Sequence, residues 1–183
     1  MDVQERELVL QQLASSEARL LGLVDGLSEA QWTFRETPER WSIAGIVEHC
    51  ALFEGFILGK IVAVIEAGPE PEKRVDVEIK EGLVMGLAQA RATPFVSREI
   101  VRPTGAWSQA KAVAELRAAR AKSVAFATET EAPLRDCFFA HIAFGDLDCC
   151  QWMLLLGQHM ERHVLQIEEV MADVEFPGNL KTP

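Results

Sequence analysis

Val3, Leu10, Leu13, Leu20, Leu21 and Val24 form a stripe at helical spacing among Glu, Gln and Arg, and Gly26 closes it, so the pattern predicts a first helix from about 3 to 25. SEAQ at 28–31 has the Ser-x-x-Gln form of a capping box and predicts a single turn. Ser42, directly after Trp41, is a good N-cap for a second helix reaching about Glu66. Ile43, Ile46, Val47, Leu52, Phe53, Phe56, Ile57 and Ile61 make that helix apolar almost all round, the pattern of an element packed on several sides. AGPEPEK at 67–73 ends it, because proline cannot continue a helix and glycine caps one.

Residues 74–106 form a long connection, with a short helix predicted for IKEGLVMGLAQA at 79–90 and Pro94, Pro103 and Gly105 punctuating the rest. A connection of this length inside one domain points to function or to a crossing of the fold. Ser108 caps a third predicted helix through AKAVAELRAARAKSVAFAT to about 128. An irregular stretch at 129–145 carries Pro133, His141 and Gly145, and a last helix runs from about Asp146 to Asp173 before an extended tail, FPGNLKTP. Strand alternation is confined to a possible short piece at 96–101, and there is no internal repeat. The expected fold is all-α: a four-helix bundle with a long crossover between helices two and three, in a single domain spanning 1–183.

Composition narrows the function classes. A chain of 183 residues, 49% apolar, builds a substantial core without staples. Its 18 basic and 28 acidic residues give a net charge of −10, a surface that a nucleic-acid backbone repels. Arg91, Arg98 and Arg102 are spread along a loop-like stretch and alternate with Glu99, so they form no basic patch. The N-terminal MDVQERELVL lacks the basic and apolar regions of a signal peptide, and the most apolar run, GFILGKIVAVI at 55–65, is too short for a bilayer and contains Lys60. A soluble, cytoplasmic protein with neither membrane nor nucleic-acid partner is expected. Cys50, Cys137, Cys149 and Cys150 have no zinc-ribbon spacing and read as reduced core residues, with Cys50 set apart by its place beside a histidine.

The histidines are the chemistry. Steps of four and three along the last helix give Trp152, Leu156, His159, His163, Gln166 and Val170, a seam on which two imidazoles and an amide replace hydrocarbon. The second helix has the same anomaly: Ser42, Ile46, His49, Phe53 and Phe56 share a seam with one histidine in its middle. Burying an imidazole without a partner costs about 1–3 kcal/mol, so three in one interior need a common solution. One divalent ion supplies it: His159 and His163, at i and i+4, chelate from one helix face, and His49 completes a three-nitrogen site with an open position. Such a site suits zinc, nickel, iron or manganese. Histidines hydrogen-bonded to one another without an ion are the alternative. His141, in FFAHIAFGD, reads as a loop or helix-entry residue, and Gln166 either orients a ligand or bound water or is a bundle amide. Met160 stands where a zinc protease has its glutamate, and Glu161 points away from the histidine face, so protease chemistry is not supported.

QWTFRETPERWSIAGIVEHCALFE (31–54) and FGDLDCCQWMLLLGQHMERHVLQIEEV (144–170) together resemble the DinB-like superfamily of metalloenzymes. The likeness falls on Trp41, Ser42, His49, Phe144, Gly145, His159, His163, Gln166 and Ile167. It implies a four-helix bundle with a long crossover, often a homodimer, with a divalent metal, zinc or nickel foremost, on His49, His159 and His163. It also implies a small-molecule substrate and a low-molecular-weight thiol cosubstrate, because thiol-dependent transferases and isomerases occur among such proteins. Ile142 departs from the pattern, standing where a proline often follows the loop histidine. The expected function is metal-dependent activation of a thiol or a water for transfer to, or hydrolysis of, a small molecule. The alternative is a non-catalytic, metal-stabilised stress-response or binding protein. No catalytic base is identifiable among the residues.

Overall fold

Each long helix begins where a side chain satisfies its free amides. α1 (Val3–Val24) opens on a reciprocal box in which the Asp2 carboxylate accepts from the Glu5 amide at 2.8 Å and Glu5 accepts from the Asp2 amide at 2.7 Å. Ser28 and Gln31 form the same device at α2 (Glu29–Thr33). Ser42 Oγ accepts from the Gly45 amide at the start of α3 (Ile43–Ala67), as the sequence predicts, and Gly68 follows the last turn at φ 103°. α4 (Val77–Met85) is shorter than expected and ends at Gly86. Ser108 caps α5 (Gln109–Glu129), and Asp148 with Gln151 caps α6 (Cys149–Ala172). The computed structural model describes residues 1–90 and 97–179, and within these the chain is mostly helical.

Three expectations are corrected. The stretch before α6 is a β-hairpin, β1 (Phe138–His141) and β2 (Gly145–Asp148), antiparallel with Phe138 opposite Asp148 and His141 opposite Gly145. Gly145, at φ 68°, takes the left-handed turn that closes it, and the hairpin moves the start of α6 from Asp146 to Cys149. The possible strand at 96–101 is a 3₁₀ turn over Glu99–Val101 in its described part. Residue 96, like Arg91 and Pro94, lies outside the described residues. The tail is not extended where it is described: Phe176 is buried edge-on against Phe34 at 5.5 Å, and amides of Phe176 and Asn179 donate to Asp173 and Phe176 carbonyls. Lys181 and its neighbours at 180–183 lie outside the described residues.

α1 packs on α5 and α6, α3 packs on the same two helices, and α4 lies against α6. At the α1–α6 crossing Gly157 has no room for a side chain, since a Cβ there would come within 2.9 Å of Gln12 Cβ and 3.1 Å of the Gln12 backbone. Arg120 crosses the interior: its guanidinium meets Glu54 at 2.7 and 2.8 Å and donates to the Leu13 carbonyl at 2.6 Å, tying α5 to α3 and α1. Arg135 ties the hairpin down by pairing with Glu5, Glu81 and the buried Asp148. All four cysteines are free and buried. Among the described residues no helix is long and apolar enough to cross a membrane.

Candidate metal centre

His49 comes from the middle of α3, and His159 and His163 come from successive turns of α6. α3 and α6 pack against each other, and the three ring nitrogens offered by these residues lie within 4.8 Å of one another. His159 Nε2 is 3.3 Å from His49 Nε2 and 3.3 Å from His163 Nε2. His49 and His163 are 4% and 8% exposed.

The outer nitrogens decide what the inner ones offer. His49 Nδ1 lies 2.7 Å from the Val101 carbonyl, which can only accept, so Nδ1 carries the proton and Nε2 is a bare lone pair. His163 Nδ1 donates in the same way to Gln166 Oε1 at 2.9 Å, baring its own Nε2. Both lone pairs face His159 Nε2, which holds at most one proton, so one of the two 3.3 Å contacts sets lone pair against lone pair. A cation among the three nitrogens satisfies all of them. The two 3.3 Å separations match those of a tetrahedral zinc site, where bonds of about 2.05 Å set two nitrogens about 3.3 Å apart.

A proton is a poor substitute for that cation. Burial holds His159 well below the usual histidine range, with His163 and His49 adding to the effect. Burial also lowers His49, against the opposing pull of the Val101 carbonyl. The rings are fixed from outside too: Phe53 stacks on His159 at 3.7 Å between centroids, and Trp41 lies 4.8 Å from His49.

The triad opens into a cavity of about 710 Å³ whose walls include Trp41, Phe53, Trp152 and Leu155. This is the size range of small-molecule sites. A model of the DinB superfamily matches residues 12–167, a stretch that contains all three histidines. The chain belongs to the DinB superfamily. Neither the curated proteins nor the solved structures yield a significant match. In this DinB-superfamily chain the three-histidine group can hold a metal ion.

The other sequence candidates fall in distinct places. His141 ends β1 and lines the same cavity without joining the triad; its Nδ1 accepts from the Ala143 amide at 3.2 Å, and burial with Arg98 nearby lowers its pKa. Gln166 lines the cavity as well, and its Oε1 accepts from His163 Nδ1. Glu161 pairs with Arg19, and Met160 is buried in the core.

Two supports escaped the sequence reading. Glu48, 1% exposed beside His49, accepts from the Thr104 amide at 2.9 Å, the Thr104 hydroxyl at 2.6 Å and the Gly105 amide at 3.0 Å. It thereby clamps the connection whose Val101 carbonyl orients His49. A carboxylate inside an otherwise apolar helix was the available signal for Glu48; a backbone carbonyl such as Val101's leaves none.

Proposed function

We propose that this chain is a metal-dependent enzyme in which His49, His159 and His163 hold one divalent ion, zinc or nickel before iron or manganese. When bound, the ion supplies Lewis acidity, lowering the pKa of a thiol cosubstrate or a water for transfer to, or hydrolysis of, a small molecule. The chain's own residues do the rest. Val101 and Gln166 accept from Nδ1 of His49 and His163 and so hold each ring with its Nε2 facing inward. Phe53 and Trp41 shield the rings from bulk water on the cavity side.

The observation that carries the reading is the convergence of three Nε2 lone pairs with too few protons to separate them. Among the described residues no fourth Cys, His, Asp or Glu joins the triad, which itself lines the cavity. That favours an ion open to small molecules over a non-catalytic protein whose ion is closed off. Mutual packing of α1, α3, α5 and α6 supports a four-helix bundle with the segment between α3 and α5 as its crossover. We take residues 1–183 as one domain, acting in the cytoplasm as a homodimer, on the strength of the family resemblance and the apolar girth of α3.

Metal analysis of protein purified without an affinity tag is the test. About one divalent ion per chain is expected, falling to a small fraction in His163→Ala, with chelation lowering the melting temperature of the wild type. Substoichiometric metal together with unchanged stability in His163→Ala would remove the proposal.

A further inference from the structure

The most apolar run of the chain, GFILGKIVAVI, has a lysine at its centre, and the metal centre makes no use of it. On α3 this run follows His49, and the residues it turns to the cavity are Phe56, Ile57, Lys60 and Val64, in line with His49 and Phe53. Lys60 is eleven residues beyond His49, which at 1.5 Å per residue is about 16 Å along the helix. Trp152 and Leu155 of α6 and Phe139 of β1 complete the walls. One arm of the cavity is therefore apolar along its length, begins at the metal centre and reaches a cation.

The charge around the cavity reverses that of the molecule. Acidic residues outnumber basic ones 28 to 18 in the chain, yet the cavity is lined by Arg40, Lys60, Arg98 and Arg162 against one acid, Glu39. Arg40 is matched by Glu36 and Glu169, and Arg162 donates to the carbonyls of Leu87 and Ala90. Lys60 and Arg98 are exposed and form no ion pair among the described residues. The Lys60 ammonium instead lies 5.8 Å from the centroid of Phe56, over a ring that lines the arm.

We infer that this arm binds the body of an amphiphilic anion, a carboxylate-headed molecule with an apolar chain, its head at Lys60 and its far end toward the three histidines. The apolar walls give affinity that grows with chain length, about fourfold per buried methylene. Lys60 selects a charged head over a neutral one. The inference rests on the proposed metal centre only for which end of the ligand reacts; the binding itself needs no ion.

Trp41 and Trp152 both line the cavity, so their fluorescence reads its occupation. Submicellar titrations with dodecanoate, octanoate and dodecanol test the inference on wild type and on Lys60→Glu, with far-UV circular dichroism as the check of folding. Dodecanoate is expected to bind at least tenfold more tightly than either octanoate or dodecanol. Lys60→Glu should remove the preference over dodecanol while leaving dodecanol affinity within about twofold. Equal affinity for acid and alcohol, no binding of dodecanoate, or an unaltered preference in Lys60→Glu overturns the inference. Repeating the titration on chelated protein that keeps its circular dichroism separates the two proposals. Retained binding supports a head at Lys60, and binding lost with the ion overturns that orientation. Substoichiometric metal with unchanged stability in His163→Ala removes the metal centre and leaves this measurement intact.

Discussion

A carboxylate held inside an apolar helix has to be satisfied, and Glu48 is satisfied by three donors from a single short segment, Thr104 and Gly105. Its effect on His49 is indirect: it holds the backbone that carries the Val101 carbonyl. Glu48→Gln keeps the shape but loses charge-assisted acceptance, so metal affinity should fall about tenfold with the fold intact, as read by competition with a chromogenic chelator. Outer partners of this kind commonly matter by that factor. The thiols answer to a different force. Burial pushes the Cys150 thiol up to about 12 from an ordinary value of 9.0, with Arg135 opposing, and burial raises Cys50, Cys149 and Cys137 as well. The native thiols therefore stay protonated where unfolded ones ionise. Stability from this source is complete below about pH 9 and is lost as pH rises toward 12, because the unfolded chain then holds fewer protons. Two results are expected: no reaction of native protein with a disulfide reagent at pH 8, and a urea midpoint that falls between pH 8.5 and 10.

The α1–α6 contact depends on a missing side chain. Gly157→Ala gains intrinsic helix propensity of about 1 kcal/mol but forces Gln12 away from α6, so a net loss of about 1–3 kcal/mol is expected in chemical denaturation. At this scale the sequence was legible wherever a local rule decides. Ser28, Ser42 and Ser108 announce helix starts because a side chain that accepts from a nearby amide needs no tertiary partner. The hairpin at 138–148 was not legible: strands of four residues are too short to show alternation, and Arg135, Glu5 and Glu81 help fix it from elsewhere in the chain. The candidate site divides in the same way. His159 and His163 share a face by helix geometry alone, whereas the arrival of His49 depends on how α3 packs on α6. Lys60 read only as an interruption of an apolar run until the cavity gave that run a ligand-facing side.

For the molecule as a whole, the acidic surface and the basic cavity lining are separate populations. The first gives the chain its net negative charge and the second sets a local excess of cations around the cavity. Arg120 and Glu54 are a third case, buried at 1% and 2% exposure, where burial pushes the Glu54 carboxyl up and Arg120 pulls it down. His49 and His159 stand 110 positions apart in the chain. An ion shared between them works as a removable cross-link: it closes a loop whose entropy, by analogy with a disulfide closing a loop of about 100 residues, is worth about 4–5 kcal/mol of denatured-state freedom. Its grip is felt only once both helices are docked, so loading should leave the refolding rate nearly unchanged and slow unfolding by at least tenfold in stopped-flow denaturation. Metal supply would then set the lifetime of the folded protein as well as its activity.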